Sequence, residues 1–539
     1  MEKIFLGIDV GTGSVRAGAF NRNGRLKAKA EHPIKIWKPK PGFVEQSSED
    51  IWRAASKAIG QCLLNGNIPA KSVKGISFDA TCSLVALGDG LEPVTVSPTN
   101  KKNQNIIVWM DHRAIQQADR INATDHEVLK YVGEKISPEM ESPKLLWIRE
   151  NLKRSWKQAK KFMDLADYMV FRASGSDKRS LCTSVCKWTY LGHEGLSGGY
   201  RLDFFKEIGL PDLFDRNLVP QSVFPMGFNA GGLTREASRE LGLAQGTPVG
   251  VGIIDAHAGG IGSLSTGSTD SDSFEQSLAL IGGTSSCHMA VSLLPKFIPG
   301  IWGPYYGAMI PGMWLNEGGQ SATGSLIDYV IRNNSSFGKI ASSAKTAGVD
   351  PYTFLNREIS LLKKKDGLKI VSDLHVLPYH HGNRSPRADS RATGMVSGLT
   401  LGETVKEAAL IYYATLQAIA YGTKHIIESM NKKGYHINKI NLSGGHLKNN
   451  LLIQETADIT GCEIILPGEP EAVLLGTAIL GAVATGEYST ISDGIKAMCH
   501  RAKIIQPDNG NFAFHTAKYG IFKEMYEFQK ISKEKMKNL

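Results

Sequence analysis

Apolar runs separated by glycine turns predict three strands at the start of the chain. Ile4–Val10 and residues 15–20 are nearly continuous apolar runs on either side of the turn 11–14, and an extended segment, residues 25–32, follows an Asn-Gly turn. An Asn-Gly turn between extended segments is a strong signal for a β-hairpin. Apolar residues that recur with the helical period then predict a helix over residues 49–64.

Further apolar runs predict that strands and helices alternate through the rest of the first half. Strands are expected at residues 73–78, 83–87 and 106–109, with residues 83–87 as the partner of residues 73–78. A helix is expected to begin at Ala114. Alternating strands and helices are typical of α/β proteins, so α/β is the expected fold class.

The second half of the chain repeats the strand, glycine turn and strand that open the first. Ser277–Gly282 and residues 288–292 are apolar runs around the turn 283–286. Gly11 and Gly283 are 272 positions apart, which is about half of the 539 residues. A unit that recurs near the start of each half predicts an internal duplication.

A segment rich in Gly, Ser and Thr, residues 262–272, separates the two halves. The predicted domains are therefore residues 1–265 and residues 266–539. Helical periodicity predicts the later elements, which are helices at residues 403–430, Asn450–Thr460 and 469–485. Gly476 and Gly481 are expected to break the third of these helices. The tail, residues 521–531, is expected to pack back on the body of the protein through one apolar face made of Ile521, Met525 and Phe528.

The composition fits an ordinary globular protein with a basic surface. Hydrophobic residues make up 42% of the chain and charged residues 21%, which supplies enough apolar side chains for more than one core. The net charge is +10, and residues 530–537 are rich in lysine, but no aromatic residues alternate with the basic ones as in nucleic-acid-binding segments. A solvated helix end is expected there, and nucleic acid is not an expected partner.

Seven cysteines are spread along the chain without a Cys-x-x-Cys pair. Cys182 and Cys186 lie close in sequence, but no further Cys or His stands beside them, which argues against a structural zinc site. No stretch of about 18 apolar residues is present to span a bilayer, and the first residues lead directly into a strand rather than a signal peptide. The expectation is a cytoplasmic protein with reduced thiols and no membrane partner.

An acid, Asp9, stands at the end of the first strand, directly before the glycine turn 11–14. Backbone N–H groups in such a turn can bind phosphate oxygens, and glycine lets the backbone approach them closely. The Walker pattern is absent, and a Rossmann fingerprint fails because a strand follows and Arg16 replaces its last glycine. Two interpretations stay open, namely a hairpin with a surface acid, or a phosphate site whose acid holds Mg²⁺ through water.

Two further segments place candidate functional residues at the ends of predicted strands. Residues 249–254 form an apolar strand that ends at Asp255, where α/β proteins place their ligands, although an Asp can also serve there as a helix N-cap. Residues 441–450 form a strand, the pair Gly444-Gly445 and a helix. Such glycines leave a flat slot for a planar base, and a helix N-terminus favours phosphate.

Together these segments resemble the FGGY carbohydrate kinases, and the resemblance covers nearly the whole chain. The resemblance implies two ribonuclease H-like domains of the actin-like ATPase superfamily, with ATP and a sugar in the cleft between them. It implies that Asp255 is the catalytic base and that Asp9 holds Mg²⁺ through water. The positions that match ATP-binding ones in the family are Gly11, Thr12, Gly13, Ser14, Arg16, Gly283, Thr284, Ser285, Gly319, Gly444, Gly445 and Asn449. Those that match sugar-binding ones are Ala80, Lys187, Asp255 and Glu317.

Three segments bear on the substrate. The loop 382–389, with the sequence Gly-Asn-Arg-Ser-Pro-Arg-Ala-Asp, resembles the corresponding loop of ribulokinases. Residues 78–83 lack both the Gln-Met-His-Gly of xylulokinases and the Arg-Glu pair of glycerol kinases. Residues 186–191 resemble the D-ribulokinase-like branch more than the bacterial L-ribulokinases. The resemblance thus implies ATP-dependent phosphorylation of D-ribulose at its 5-hydroxyl.

Alternatives remain open within and outside this family. L-ribulose, D-xylulose or ribitol are other acceptors, and an actin- or Hsp70-like ATPase or a sugar-sensing pseudokinase are rivals of another class. Lys187 and Glu317 argue for a sugar, and the presence of both Asp9 and Asp255 argues for catalysis. The expected partner is a small-molecule sugar, and the oligomeric state stays open, with a homodimer as the expectation.

Several residues receive no role from the sequence. Arg384 either reaches a phosphate or pins its own loop. Trp109 and Trp188 either stack on a sugar or belong to the core, and His380 and His381 are taken as loop histidines rather than metal ligands.

Overall fold

The structure is a computed structural model that describes residues 2–264 and 274–537. The predicted domain boundary between residues 265 and 266 lies outside the described residues.

The described part of the chain before this boundary, residues 2–264, forms twelve strands and ten α-helices. Its strands are β1 (Ile4–Val10), β2 (Ser14–Asn21), β3 (Leu26–Pro33), β4 (Glu45–Gln46), β5 (Val73–Ala80), β6 (Leu84–Leu87), β7 (Ile106–Ile107), β8 (Lys161–Asp164), β9 (Arg179–Ser180), β10 (Val223–Phe224), β11 (Asn229–Gly232) and β12 (Pro248–Ile254). Its helices are α1 (Ser48–Asn65), α2 (Ile115–Asn122), α3 (Glu141–Asn151), α4 (Lys153–Gln158), α5 (Leu165–Ser174), α6 (Leu181–Lys187), α7 (Leu202–Glu207), α8 (Asp212–Asp215), α9 (Arg235–Leu241) and α10 (Asp255–Ser263).

The described part after the boundary continues the same alternation. Its strands are β13 (Ser277–Gly282), β14 (Ser286–Ser292), β15 (Trp302–Tyr306), β16 (Trp314–Gln320), β17 (His375–Leu377), β18 (Met395–Ser397), β19 (Lys439–Gly444), β20 (Glu463–Pro467) and β21 (Arg501–Ile505). Its helices are α11 (Gly324–Arg332), α12 (Phe337–Thr346), α13 (Pro351–Asp366), α14 (Val405–Asn431), α15 (Asn450–Thr460), α16 (Ala472–Ala484), α17 (Ile491–Met498) and α18 (Phe512–Lys537).

Two main sheets carry the same series of strand pairings. The first has the order β3-β2-β1-β5-β12-β11, and the second has the order β16-β14-β13-β19-β20-β21 with β15 added beyond β16. In both, the five pairings are antiparallel, antiparallel, parallel, parallel and antiparallel. This agreement supports the predicted internal duplication, and the α/β architecture is the one predicted from the sequence.

The predicted pairing of residues 83–87 with residues 73–78 is wrong. β5 already has β1 on one side and β12 on the other, so neither of its edges is free. β6 pairs instead with β7 and β8 in a separate four-stranded sheet of order β4-β7-β6-β8. The strand predicted at residues 106–109 is shorter, Ile106–Ile107, and belongs to this small sheet.

The predicted break in the helix at residues 469–485 is also wrong, because α16 is continuous from Ala472 to Ala484. Its glycines mark close backbone contacts. A Cβ atom on Gly476 would lie 1.9 Å from the carbonyl oxygen of Ala258 in α10, and one on Gly262 of α10 would lie 1.9 Å from that of Ala472. The backbones of α10 and α16 therefore touch at a place where only glycine fits.

The C-terminal helix packs back on the body of the protein, as the sequence predicts, but over a longer span. α18 buries Tyr519, Phe522 and Met525 against a cluster that includes Leu377 of β17. Phe528, which was assigned to the packed face, is 63% exposed. Within residues 2–264 and 274–537, none of the helices combines the length and apolar composition that a bilayer crossing requires.

Candidate functional site

A cavity of about 330 Å³ lies where the carboxyl ends of the central strands of the two sheets meet. Asp9, Lys187 and Asp255 line it from the first half of the chain, and Thr284 and Glu317 line it from the second. The carboxyl ends of parallel strands are where open α/β sheets place their ligands. The cavity therefore brings together residues that the sequence assigned to phosphate, sugar and base.

Three carboxyl groups come from three neighbouring parallel strands. Asp9 of β1 and Asp79 of β5 occupy paired positions, and Asp255 follows β12 directly. Arg16 donates a hydrogen bond from Nε to Oδ2 of Asp9 (2.7 Å), and its Nη1 lies 3.3 Å from a carboxylate oxygen of Glu471. Arg16 thus neutralises the acids before any phosphate binds.

Asp79 is a buried acid that sequence reasoning missed. It lies beside Asp9, and the hydroxyl of Thr477 in α16 donates to its Oδ2. The signal was present, because Asp79 ends an apolar strand as Asp9 does. Burial, and then the nearby Asp9 carboxylate, raise the pKa of Asp79 well above its ordinary value.

Asp255 begins α10 and faces the cavity from its first turn. The backbone N–H of Ala256 donates to its Oδ1 (2.7 Å). Burial, and then the charge of Asp9, raise the pKa of Asp255 to about 7. A carboxylate with a pKa near neutrality can accept a proton from a substrate and release it again at the same pH.

The acids at the cavity suit a magnesium ion. Asp9 and Asp255 supply carboxylate oxygens, the donors that Mg²⁺ prefers, and both line an open cavity with room for water. Asp9 is 2% exposed and already bound to Arg16, which fits an acid that acts on the ion through its waters.

Both predicted glycine turns are hairpins at the cavity. In the first, the N–H of Gly11 donates to the carbonyl of Ser14 (3.0 Å), and Gly11 and Thr12 face the cavity while Gly13 and Ser14 complete the turn. In the second, the N–H of Gly283 donates to the carbonyl of Ser285 (2.8 Å). The cavity is lined there by Gly283, Thr284 and Ser285.

The start of α11 holds the second hairpin in place. The N–H groups of Thr323 and Ser325 donate to the carbonyl of Thr284 (2.9 and 3.2 Å), and that of Gly324 donates to the carbonyl of Gly283 (3.0 Å). Because these carbonyls are engaged by α11, the hairpin is rigid before a ligand arrives.

The predicted adenosine segment lies beside the second hairpin, outside the cavity lining. Gly444 pairs with Gly282, and a Cβ atom on Gly444 would lie 2.5 Å from the carbonyl oxygen of Gly282. Gly445 follows it. Asn449 caps α15 by accepting from the N–H of Leu452 (3.2 Å) and donates from Nδ2 to the hydroxyl of Tyr412 (2.8 Å). The nucleotide role of these residues remains a prediction.

Glu317 and Lys187 both line the cavity. Glu317 lies on β16 and is 4% exposed, and its Oε1 accepts a hydrogen bond from Nη2 of Arg384 (2.7 Å). Burial opposes its charge, but Arg384 holds the pKa of Glu317 below its ordinary value. Lys187 ends α6, with Nζ 4.8 Å from the centre of the Trp302 ring. The site thus offers a carboxylate acceptor and an ammonium donor within one cavity.

Some assigned residues take other places. Ala80 is fully buried at the end of β5, and Thr81 and Cys82 form the cavity wall beside it. Gly319 packs against the side chain of Arg384 and pairs with Cys287, which follows the second hairpin, so its assignment to ATP remains a prediction. Of the residues left open, Trp109 lines the cavity and donates from Nε1 to Oγ1 of Thr12 (3.0 Å).

The remaining unassigned residues lie elsewhere. Trp188 is buried in the core, and His380 packs against the ring of Tyr329. Neither His380 nor His381 lines the cavity within the described parts of the chain.

The argument against a zinc site assumed that Cys182 and Cys186 have no histidine near them, and this assumption is wrong. α6 and α10 bring both thiols and His257 together, with the ligand atoms within 4.8 Å of one another and Cys186 Sγ 3.7 Å from His257 Nε2. Burial raises the pKa of the Cys186 thiol well above its ordinary value, so the thiol itself keeps its proton at neutral pH. All seven cysteines are free, as the sequence predicts.

Comparisons with known proteins agree with this geometry. The profile of the FGGY family of carbohydrate kinases, N-terminal domain, matches residues 4–262, and that of the C-terminal domain matches residues 278–485. The chain is 45% identical over 540 residues to an FGGY carbohydrate kinase domain-containing protein of Xenopus laevis, covering 98% of this chain and 97% of that protein. It is 37% identical over 517 residues to a D-ribulokinase of Saccharomyces cerevisiae, covering 90% of this chain and 72% of that protein.

Among solved structures, a xylulose kinase from Rhodospirillum rubrum has a similar fold. The TM-score is 0.79 at 19% sequence identity, covering 98% of this chain and 99% of that one. At this identity the likeness concerns the fold alone. It confirms the predicted two-domain fold of the actin-like ATPase type.

Proposed function

The chain belongs to the FGGY family of carbohydrate kinases, and from this premise we propose that it phosphorylates a pentulose, D-ribulose, at its 5-hydroxyl. ATP is the phosphoryl donor of the family. The observation that carries the proposal is the meeting of Lys187, Glu317 and Asp255 in one cavity with both hairpins. The 37% identity to a yeast D-ribulokinase supports D-ribulose among the pentuloses.

In the proposed mechanism, Lys187 donates hydrogen bonds to sugar hydroxyls and Glu317 accepts them, which turns the 5-hydroxyl toward Asp255. Asp255 takes the proton of this hydroxyl. The hydroxyl oxygen bonds to the γ-phosphorus as the bond between that phosphorus and the β-phosphate oxygen breaks, and ADP leaves. The hairpins at residues 11–14 and 283–285 bind the β- and γ-phosphates with their N–H groups, helped by Arg16. Asp9 would hold Mg²⁺ through water, and the bound ion would neutralise phosphate charge. Positioning and charge neutralisation supply most of the acceleration in such transfers.

Closure of the cleft would complete this mechanism. Both halves of the chain line the cavity, so movement of one toward the other brings the phosphate hairpins nearer to the sugar. Expulsion of water at that stage would suppress hydrolysis of ATP, because water would otherwise compete with the sugar hydroxyl as the acceptor.

The pKa of Asp255 sets an expected pH dependence. The base must be unprotonated to accept the hydroxyl proton, so activity should rise with pH through the pKa of Asp255, about 7. With both substrates well below their KM, we expect the rate to fall about tenfold per pH unit below this value and to level off above it. Initial rates at constant ionic strength between pH 5.5 and 9 measure this. A flat profile across neutrality would exclude Asp255 as the group that titrates.

The proposed sugar contacts predict that substitutions there lower kcat/KM for the sugar and leave the KM for ATP nearly unchanged. Lys187→Met and Glu317→Gln each remove a charged contact, and a lost buried polar contact costs about 1–3 kcal/mol, or roughly 5- to 150-fold in kcat/KM for the sugar. The KM for ATP should change little, because the adenosine segment lies outside the cavity lining. Initial-rate kinetics with each substrate varied in turn separate the two effects. The surface pair Lys206→Met and Glu207→Gln serves as the matched control.

The choice of sugar is tested with a panel of acceptors. Rates of ADP formation with D-ribulose, L-ribulose, D-xylulose, ribitol and glycerol should be highest for D-ribulose in the wild type. A preference for glycerol would overturn the pentulose proposal but leave the carbohydrate kinase standing. Hydrolysis of ATP at one rate with and without every sugar would favour the alternative of an actin- or Hsp70-like ATPase.

A further inference from the structure

Arg384 is a buried cation at the cavity that the mechanism above does not use. Its side chain is 17% exposed, and it lines the cavity beside Glu317. The sequence left open whether it reaches a phosphate or pins its own loop. It instead binds Glu317, the carboxylate assigned to the sugar.

Three features hold the guanidinium flat. Its central carbon lies 3.8 Å from the centre of the Trp302 ring, a cation–π contact. On the Gly319 side, an added Cβ atom would lie 2.9 Å from Cδ and 3.0 Å from Nη1 of Arg384. The N–H of Ser385 donates to the carbonyl of Gly319 (3.1 Å), which fixes the loop to β16. Gly319 therefore leaves the space that the Arg384 side chain occupies beside β16.

Most donors of this guanidinium are unused. Among the described residues, Nη2 is the nitrogen that makes a hydrogen bond, and Nε is buried without a partner. Arg and Lys side chains only donate, so Arg384 and Lys187 place two donor-only groups around Trp302. Nη1 also makes no hydrogen bond within the described parts of the chain, so Arg384 and Lys187 leave donors at the cavity that suit an acceptor oxygen.

We propose that Arg384 binds the sugar and makes the site select 2-ketoses over the corresponding alditols. The inference rests on the proposed function and adds that the sugar is recognised through its carbonyl group. A carbonyl oxygen only accepts, so it can take hydrogen bonds from both cations. An alditol hydroxyl at the same place must also donate its proton, and neither Arg384 nor Lys187 can accept one. Arg384 also orients Glu317 through the hydrogen bond between them.

The test is the ratio of kcat/KM for D-ribulose to that for ribitol. Arg384→Gln should lower kcat/KM for the ketose by roughly 10- to 100-fold and that for the alditol by less, so the ratio narrows at least about fivefold. The KM for ATP should stay within about twofold, since the contacts of Arg384 are with Glu317 and Trp302 and, among the described residues, it makes no hydrogen bond to either hairpin. Arg384→Lys keeps the charge but loses the planar fork, and should recover only part of the ratio.

Arg387 provides a matched control within the same loop. Its guanidinium carbon lies 3.8 Å from the centre of the Tyr526 ring, and its Nη1 lies 3.3 Å from a carboxylate oxygen of Glu527, but it faces α18 instead of the cavity. Arg387→Gln should leave the ketose-to-alditol ratio unchanged. Gly319→Ala should narrow the ketose-to-alditol ratio of kcat/KM, as Arg384→Gln does, because the new methyl group displaces Arg384.

The outcomes separate this inference from the proposed function. Equal losses of kcat/KM for ketose and alditol in Arg384→Gln, or a raised KM for ATP in Gly319→Ala, would overturn the inference. A wild type that prefers another carbohydrate overturns only the choice of D-ribulose, and the ratio is then measured with the ketose and alditol of that carbon skeleton. If thermal denaturation shows that Arg384→Gln is not folded, the same ratio is measured with Arg384→Lys and Gly319→Ala.

Discussion

Replacing Asp255 with asparagine is expected to lower kcat by roughly 10²- to 10⁴-fold, the usual contribution of a general base. Asparagine keeps the size of the side chain but cannot accept the hydroxyl proton. The hairpins proposed to bind phosphate make no hydrogen bond to Asp255 among the described residues, so ATP should bind with nearly wild-type affinity. Steady-state kinetics together with titration calorimetry of ATP measure the two quantities separately.

Stability provides the control for this variant. The pKa of Asp255 is raised by folding, from an ordinary value near 4 to about 7, so its stabilising contribution is present at low pH and is lost as pH rises through 7. Asp255→Asn removes that loss, and its Tm at pH 8 should match or exceed that of the wild type. Asp328→Asn on α11, with a side chain 48% exposed, should change neither kcat nor Tm. A folded Asp255→Asn protein with near-wild-type turnover would contradict the role of base.

Asp9→Ala is expected to cost roughly 10²- to 10³-fold in kcat and to weaken MgATP binding, a loss typical of a single preorganised electrostatic group. Asp9 is the buried acid nearest the first hairpin, and its removal also frees Arg16 to pair with Glu471 alone. The ion would then lose its link to the first sheet. Rates measured against free Mg²⁺ at constant ATP should show a shifted and flattened dependence.

A second substitution at Asp9 tests whether charge or shape matters. Asp9→Asn keeps the volume and one acceptor oxygen, so it should retain the fold and still lose most of the magnesium response. If either folded variant has the wild-type dependence on Mg²⁺, Asp9 is a structural partner of Arg16 instead of a group that acts on the ion.

Local patterns in the sequence were sufficient for the central strands and for both hairpins. β1 and β13 are short apolar runs that end at glycine turns, and these signals depend on neighbouring residues alone. Asp255 was predicted for the same reason, because a buried strand delivers it to the carboxyl edge of a sheet. The two-domain fold followed from the recurrence of the same unit after 272 residues.

Contacts between distant segments were beyond the reach of these patterns. The partner of β6 depends on which edges of β5 are free, and the link between Arg384 and Glu317 joins residues 67 positions apart. The contact between Gly319 and the guanidinium of Arg384 was not predictable either, because the position of Gly319 along the chain says nothing of what packs on it. The glycines of α16 were interpreted as helix breakers, since their low helix propensity is local and the approach of α10 is not.

The glycine contact between α10 and α16 has a mechanical consequence. Asp255 begins α10, and Gly262 lies near its other end, about 10 Å along the axis at the rise of an α-helix. The helix thus carries the proposed proton acceptor at one end and is held at the other end by its contact with α16, which itself packs on β1 and β5. A misplacement of about 1 Å can lower the rate of catalysis 100-fold, so a methyl group at this contact would disturb proton transfer without touching the cavity. The glycine contact between α10 and α16 therefore fixes the position of Asp255.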